Sequence, residues 1–264
     1  MEDAQSLVRE TMRALEQKEK ERQALLGKPL MSLSGEGLPK CSVCQDTGWI
    51  YKVDSEGTKR AGKCQCVIDR ELKAEIRRLI PEKFREVDLR SIKPQESMAL
   101  VLPIDKQREI LADLKSDPVR ARSFMGPTGV GKTFLMCAIA REAILSRRRV
   151  FFTKMNVLVR ALRDEEYNRL PEDRWNEAVT IDNLIPDEWG RPTHLYIDEF
   201  DKVPGFKDIY PRVFDLVDFC YTTESRARLF ITTNLGPDEF VEEWGAALFR
   251  RIEEISPFMH LYRE

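Results

Sequence analysis

The chain has 264 residues, a formal net charge of -2 at pH 7 and 33% charged side chains of interspersed sign. No apolar run approaches the roughly 20 residues that a membrane helix needs, and no signal peptide is recognisable, so the sequence predicts a cytoplasmic protein without a membrane partner. The length allows one α/β core of ordinary size and one smaller module, while the net charge by itself gives no indication of nucleic-acid binding.

The first predicted element is a helix over residues 3–26, which contain neither Gly nor Pro. Its apolar side chains recur at helical spacing and form one narrow stripe: Leu7, Val8, Met12 and Leu15. Two interpretations stay open, since the stripe can pack on this protein's own neighbouring module or on a partner's helix. Residues 27–40 contain several Gly and Pro and predict a flexible joint.

Four of the six cysteines are clustered after this joint: Cys41, Cys44, Cys64 and Cys66. Four thiolates complete a tetrahedral Zn²⁺ site and leave no position for catalysis, so we predict a structural zinc site. A pair of disulfides and an iron–sulfur cluster remain as alternatives, because the second pair is Cys-x-Cys. The lack of a signal peptide argues against disulfides. The other two cysteines, Cys137 and Cys220, are predicted to be packed core residues.

The segment between the two cysteine pairs contains little apolar material beyond residues 49–51, too little to fold without a metal. A helix is predicted from Val67 to Ile80, and Pro81 ends it. We therefore place a domain boundary there. Residues 1–80 are predicted to form a small, mostly helical, zinc-binding domain, and residues 81–264 the second domain.

Residues after this boundary alternate between predicted helices and strands. A helix is predicted near residues 106–114. Strands are predicted near residues 122–125, 150–153, 194–198, 228–233 and 257–262. With helices in the segments between them, this alternation predicts an α/β fold in which a parallel sheet is covered by helices on both faces.

A complete phosphate-binding loop follows the first of these strands: Gly126, Pro127, Thr128, Gly129, Val130, Gly131, Lys132 and Thr133. The glycines let backbone N–H groups turn toward the α and β phosphates, Lys132 reaches the β and γ oxygens, and the Thr133 hydroxyl can ligate Mg²⁺. The plain alternative, a Gly-rich turn without a ligand, is disfavoured by the strand–loop–helix context. The chain is therefore predicted to bind a nucleoside triphosphate.

A basic and aromatic fragment comes next, with Arg147–Arg149 followed by Phe151 and Phe152. It could contact DNA. The preferred interpretation is plainer: basic residues are favoured at a helix C-terminus by the helix dipole, and two core residues of a strand follow them.

Two carboxylates, Asp198 and Glu199, end the apolar strand near residues 194–198. Successive strand residues point in different directions, so Asp198 is predicted to hold Mg²⁺ and Glu199 to orient and polarise the attacking water. Alone, the pair is equally well explained as an acidic turn. Asn234 ends the next apolar strand, where its amide could touch the γ-phosphate or that water. Because open α/β sheets bind ligands outside the carboxyl ends of their strands, all three signals converge on one crevice.

With these motifs the chain resembles the AAA+ ATPases over residues 81–264. In that resemblance residues 126–133 are Walker A, Asp198 and Glu199 are Walker B, and Asn234 is sensor I. The resemblance implies a P-loop core with a five-stranded parallel sheet, ATP as ligand, Mg²⁺ as cofactor and hydrolysis to ADP and phosphate. It also implies self-assembly through the ATP site.

AAA+ ATPases typically complete their site with an arginine from a neighbouring subunit, and residues 247–252 resemble the segment that supplies it. Arg251, directly before an apolar residue, matches best, and Arg250 is the reserve candidate. Such an arginine stabilises charge on the transferring phosphoryl group. The plain alternative is a solvated arginine on a surface helix.

A narrower resemblance, to the bacterial DnaC/DnaI-type helicase loaders, depends on the four-cysteine module, the junction Ile80–Phe84, the segment Ile231–Leu235 and the expected absence of a helical lid domain after Glu264. It implies an ATP-dependent switch that holds the replicative DNA helicase and places it on single-stranded DNA. Two departures weaken the inter-subunit part of this resemblance. Asp218–Tyr221 stands where loaders usually show Asn-x-Arg-Tyr, and Phe200-Asp201 follows Walker B where a Gly is common.

Three other functions fit part of the sequence. A transposition helper ATPase of the IstB kind shares the lidless core but usually lacks the cysteine module. A phosphotransferase also uses a P-loop, although Asp198, Glu199 and Asn234 favour water as the nucleophile. A nucleotide-sensing adaptor would bind ATP and barely hydrolyse it.

Overall fold

The computed structural model describes residues 40–53, 57–95, 102–166, 192–203, 208–222 and 227–262. The chain divides into two compact units between Asp69 and Arg70. The predicted N-terminal helix over residues 3–26 and most of the predicted joint lie outside the described residues. No described helix is long and apolar enough to cross a membrane.

The first unit is built on an antiparallel hairpin of β1 (Trp49–Val53) and β2 (Lys59–Lys63). This hairpin is not among the elements predicted from the sequence. One cysteine pair precedes it and the other follows it, so the pairing of the two strands brings the two cysteine pairs together. Helix α1 (Gln65–Leu79) begins directly after β2 and agrees closely with the predicted helix.

The second unit contains a five-stranded sheet, which confirms the predicted α/β fold with a P-loop core. Its strands are β3 (Ser123–Met125), β4 (Val150–Lys154), β5 (Thr193–Asp198), β6 (Ala227–Thr233) and β7 (Phe258–His260). All neighbouring pairs are parallel, in the order β4-β5-β6-β3-β7. Its helices are α2 (Ile104–Ser116), α3 (Lys132–Leu145), α4 (Met155–Glu166), α5 (Tyr210–Thr222), α6 (Pro237–Trp244) and α7 (Ala246–Ile255).

The sheet is buried on both faces, and this explains why its strands are apolar without alternation. In β5, Leu195 and Ile197 join an apolar cluster with α4 to α7, whereas Tyr196 between them joins a second cluster with α2 and α3. The two predicted core cysteines, Cys137 and Cys220, are fully buried on these helices. Burial raises the pKa of each thiol to about 12, which fits inert packing residues.

The order of the strands in the sheet brings the predicted site residues together. Because β6 lies between β3 and β5, the carboxyl ends of three adjacent strands carry the phosphate loop, the carboxylate pair and Asn234. These motifs come from distant parts of the sequence and meet at one edge of the sheet, as the sequence analysis predicted.

Candidate nucleotide site and cysteine cluster

The phosphate-binding loop is fixed between the sheet and α3. Gly126 donates a backbone hydrogen bond to Thr233 across 3.2 Å. A Cβ at Gly126 would lie 2.7 Å from the carbonyl oxygen of Leu261, so only glycine fits where the loop leaves the sheet. Gly131 has φ 99°, a left-handed conformation that turns the chain into the first residue of α3. The loop therefore presents the N-terminus of α3 to a ligand.

Lys132 is buried beneath this loop, and its ammonium group donates three hydrogen bonds. Its Nζ donates to the carbonyl oxygens of Gly126 (2.7 Å) and Pro127 (2.8 Å) and to Oδ1 of Asn234 (2.8 Å). Thr128 Oγ1 donates to the same Asn234 oxygen across 3.2 Å. Burial lowers the pKa of Lys132, and the nearby carboxylates of Asp201 and Asp198 oppose that shift. The loop lysine and Asn234 thus meet directly.

Thr133 and Asp198 form an oxygen-rich pair beside the loop. The Thr133 hydroxyl donates to Oδ1 of Asp198 across 2.9 Å, and the Thr232 hydroxyl donates to the same oxygen across 2.7 Å. Asp198 is buried at the end of β5. Hydroxyl and carboxylate oxygens are the hard ligands that Mg²⁺ prefers, so the two predicted Mg²⁺ ligands fit that ion.

Glu199 is held by two lysines that the sequence analysis missed. Its carboxylate accepts hydrogen bonds from Lys154 (3.1 Å) and from Lys202 (3.0 Å). Burial by itself raises the pKa of Glu199, but the lysines outweigh it and hold that pKa below its ordinary value. The backbone of Glu199 is left-handed, with φ 56°, and its N–H donates to Oγ1 of Thr232 across 2.9 Å. Glu199 is therefore ionised, and the two lysines occupy its carboxylate.

Asp201, which appeared in the sequence as a departure from the family pattern, positions Asn234. Its carboxylate accepts hydrogen bonds from the backbone N–H and from Nδ2 of Asn234, both at 2.8 Å. With Nδ2 engaged on that side, the amide oxygen faces Lys132. A glycine at position 201 would leave this orientation without support.

Two neighbouring cavities share the phosphate loop. A cavity of about 310 Å³ is lined by the loop together with Glu199, Lys202 and Asn234. A second cavity of about 240 Å³ is predominantly apolar; its lining includes Ile92, Ile110, Val130 and Phe134. The polar cavity fits a triphosphate, and the apolar one is suited to a planar base.

A buried glutamine supports the apolar cavity. The Gln107 side chain accepts a hydrogen bond from the backbone N–H of Gln95 (2.7 Å) and donates to the carbonyl oxygens of Gln95 (3.1 Å) and Leu102 (2.7 Å). These bonds fix the chain segments that border the cavity. This role could not be predicted from the sequence, because a buried glutamine in a helix, such as Gln107, cannot be distinguished there from an exposed one.

The four clustered cysteines are brought together in the first unit. Their Sγ atoms all lie within 4.8 Å of one another, with 3.8 Å between Cys41 and Cys64 and 3.5 Å between Cys44 and Cys66. Zn–S bonds of about 2.3 Å give tetrahedral edges of about 3.8 Å, whereas a disulfide needs about 2.05 Å. All four are free thiols. The donor set and spacing fit one tetrahedral Zn²⁺ ion and disfavour the disulfide alternative.

Hydrogen bonds shift the pKa values of two of these thiols in opposite directions. Backbone N–H groups of Cys44 and Val43 lower the pKa of Cys41 to about 6, and hydrogen bonding to Cys44 is the main cause that raises the pKa of Cys66 to about 12. A full set of four thiolates is unfavourable without a compensating cation, which a divalent metal supplies.

A protein-family model described as IstB-like ATP binding protein matches residues 54–249, well over half of the chain. The chain belongs to the IstB-like ATP-binding family. The match contains the whole phosphate loop, Asp198, Glu199 and Asn234, and it begins between the two cysteine pairs. This IstB-like protein is therefore an ATP-binding protein by family as well as by the geometry of its loop.

The chain is similar to several solved structures. The DnaC helicase loader is 16% identical, with a TM-score of 0.51, and the likeness covers 69% of this chain and 99% of that chain. DnaI is 13% identical, with a TM-score of 0.48 and coverage of 70% and 93%. A DNA replication initiation factor is 14% identical, with a TM-score of 0.48. The likeness covers 68% of this chain and 50% of the length of that protein. At 16% identity the likeness to the DnaC helicase loader shows the fold alone. No curated protein matched the chain.

The arginine candidates of the IstB-like protein lie away from its own nucleotide cavity. Arg251 donates to Asp218 across 2.7 Å, and its guanidinium lies 4.6 Å from the ring centre of Phe214. Arg250 has a side chain that is 84% exposed and lies 3.7 Å from Glu254. Neither arginine lines the 310 Å³ cavity. Asp218, where the loader pattern differs, is thus the in-chain partner of Arg251.

Proposed function

We propose that this protein is an ATP-dependent loader that binds a replicative DNA helicase and delivers it to single-stranded DNA. The observation that carries the proposal is the combination of a P-loop site backed by Asp198, Glu199 and Asn234 with a separate unit built on four clustered cysteines. The chain shares its fold with the DnaC helicase loader, and the proposal gives it the same role.

The chemistry that we propose for the nucleotide site is hydrolysis of ATP. The loop N–H groups and Lys132 bind the phosphates, and Thr133 and Asp198 hold Mg²⁺, which when bound neutralises phosphate charge. Glu199 orients and activates water once its carboxylate is released from Lys154 and Lys202. Asn234, fixed by Asp201, positions the γ-phosphate or that water. Arg251 completes the site of a neighbouring subunit, so assembly and hydrolysis are linked.

The division of labour that we propose follows the two units. Residues 1–80 carry the helicase contact on a zinc-stabilised scaffold, and residues 81–264 bind and hydrolyse ATP. Ile76 and Ile80 lie before this functional boundary, yet they are buried among α2 and α3 residues. A fragment that tests the ATPase alone should therefore begin at residue 70, where the compact unit begins.

A loading assay on circular single-stranded DNA tests the proposal, because a closed helicase ring cannot enter a circle from an end. We expect the full chain with ATP to transfer a ring-shaped replicative helicase onto the circle and to release phosphate faster when helicase and DNA are both present. Lys132→Ala is the matched control and should fail in both readouts. A chain that captures no replicative helicase with any nucleotide would contradict the proposal.

The family match favours a second candidate function, a transposition helper ATPase. Such a protein should respond to duplex DNA and a transposase instead of single-stranded DNA and a helicase. The two functions are distinguished by measuring phosphate release with duplex DNA, a transposase, single-stranded DNA or a helicase added separately.

A further inference from the structure

The hairpin of the first unit has one face that is exposed along its whole length. In an antiparallel pair, directly opposite residues share a face, and every second residue of a strand returns to it. The observed register places three cross-strand pairs on this face: Trp49 with Lys63, Tyr51 with Ala61, and Val53 with Lys59. All six side chains are exposed. These six residues are called the hairpin face below.

The large apolar and aromatic side chains of the hairpin face are exposed to solvent. Trp49 is 52% exposed, Tyr51 74% and Val53 62%. The opposite face contains the partly buried Ile50 and Gly62. A unit with so little apolar material would gain stability by burying its aromatic rings, so a contiguous aromatic surface among the described residues favours a binding site.

The positive charge on the hairpin face indicates which class of ligand it can bind. Lys63 lies opposite Trp49 and Lys59 lies opposite Val53, so a lysine stands at each end of the hairpin face. None of its six residues carries a carboxylate. An anionic ligand with flat apolar parts matches this pattern, and single-stranded nucleic acid combines exposed base rings with one phosphate per nucleotide.

The distance between the two aromatic residues of β1 is compatible with single-stranded nucleic acid. Trp49 and Tyr51 lie two residues apart on one strand, which separates them by about 6.8 Å. This distance equals about two base steps of roughly 3.4 Å. A duplex keeps its bases stacked inside, so only a single strand can present them to both rings.

We propose that the hairpin face binds single-stranded DNA, with bases stacked on Trp49 and Tyr51 and phosphates bound by Lys59 and Lys63. This inference deepens the proposed function, on which it rests for the choice of DNA. It assigns the DNA contact to the cysteine-cluster unit, outside the nucleotide site.

Fluorescence anisotropy of a labelled oligo(dT) strand of about 20 nucleotides tests the proposal on the full-length, zinc-loaded chain. We expect Tyr51→Ala and Trp49→Ala each to weaken binding about tenfold. Lys59→Ala with Lys63→Ala should reduce the salt slope, d log K/d log[salt], by about 1.4 because two phosphate contacts are lost. Arg60→Ala is the matched control, since it removes one positive charge from the opposite face of β2. It should bind within about twofold of the unchanged chain.

Zinc content and binding of an ATP analogue are measured for every variant, and a Tyr51→Phe variant keeps the ring if Tyr51→Ala fails to retain zinc. Tyr51→Phe should bind the strand normally. Equal affinity in all variants would overturn the proposal, as would equal binding of a duplex of the same length or a clear preference for oligo(U). Loss of helicase capture with unchanged oligo(dT) binding would instead identify a protein contact. If no helicase is captured but Tyr51→Ala still loses oligo(dT), the loader function fails and this inference stands.

Discussion

Nζ of Lys132 donates a hydrogen bond to Oδ1 of Asn234 across 2.8 Å, although the two residues are 102 positions apart in the chain. The contact joins the phosphate loop to the end of β6, and Asp201 fixes the amide from its other side. Lys132, Asn234 and Asp201 therefore form one continuous chain of hydrogen bonds from the phosphate loop to the segment that follows β5.

Lys132→Ala should abolish tight ATP binding, because it removes the buried ammonium that we propose binds the β and γ oxygens. A loss of about 100-fold in affinity is expected for one charge-assisted contact of this kind. Titration with a fluorescent ATP analogue measures it. Lys106→Ala is the matched control, since Lys106 lies on α2 and is not among the residues that line this cavity, and it should bind the analogue normally. Undiminished affinity in Lys132→Ala would refute the assignment of the loop.

Glu199→Gln should retain ATP and slow its hydrolysis by about 100-fold or more. Glutamine keeps the size of the side chain but cannot take a proton, while Asp198 remains as the proposed Mg²⁺ ligand. Single-turnover release of labelled phosphate separates this effect from binding. Turnover equal to that of the unchanged chain would move the water-activating role to another residue.

Arg251→Ala should leave ATP binding by the monomer nearly unchanged and reduce hydrolysis in the assembled state. Mixing Arg251→Ala protein with Glu199→Gln protein tests whether the arginine acts across a subunit contact, because only a mixed interface can then contain one complete site. Partial recovery of phosphate release is expected. Arg250→Ala, which changes an exposed neighbour, should behave like the unchanged chain, and no recovery at any ratio despite proven mixing would argue against a role in trans.

Replacing Cys41 and Cys64 together by serine should remove about one Zn²⁺ per chain, since a tetrahedral site does not survive the loss of two ligands. Zinc binding contributes roughly 10–16 kcal/mol to comparable small domains, so the first unit should unfold and helicase capture should be lost. ATP binding should persist. Elemental analysis and a pull-down measure both effects, and Lys132→Ala provides the converse control, with zinc retained and ATP lost. Helicase capture by the zinc-free protein would contradict the division of labour.

The stability of the second unit should depend on pH through His194. This residue is fully buried, stacked on Phe230, and its Nε2 has no hydrogen-bond partner. Burial, with the cations Arg228 and Arg148 nearby, lowers the pKa of His194 to about 3. The neutral ring is therefore favoured in the folded state, so its contribution is complete above the unfolded pKa of about 6.5 and is lost as pH falls toward 3.

Urea unfolding at pH 7 and pH 5 measures this contribution. Over that interval the unchanged chain should lose about 2 kcal/mol more than His194→Phe, which cannot be protonated. His260→Phe is the control for the other histidine and should retain the pH dependence. A pH dependence that is identical in His194→Phe and the unchanged chain would show that His194 does not cause it.

Much of the nucleotide site could be predicted from sequence because its parts are local motifs at strand ends. The phosphate loop is contiguous, and the convergence of Asp198 and Asn234 follows from a general property of parallel sheets. Lys154 escaped prediction because its proximity to Glu199 depends on strand order: β4 pairs with β5 in the register that sets Lys154 opposite Asp198. The hairpin escaped because its two short strands lack a clear apolar alternation.

The lysine contacts of Glu199 have a consequence for how long this protein stays in one nucleotide state. Under the proposed function, a chain that has bound ATP keeps it intact while Lys154 and Lys202 hold the carboxylate. Hydrolysis then awaits an event that draws these lysines away, such as the arrival of an anionic partner. The lifetime of the ATP-bound form would be decided by what the protein meets, and a loader needs that order of events to release its cargo only at the destination.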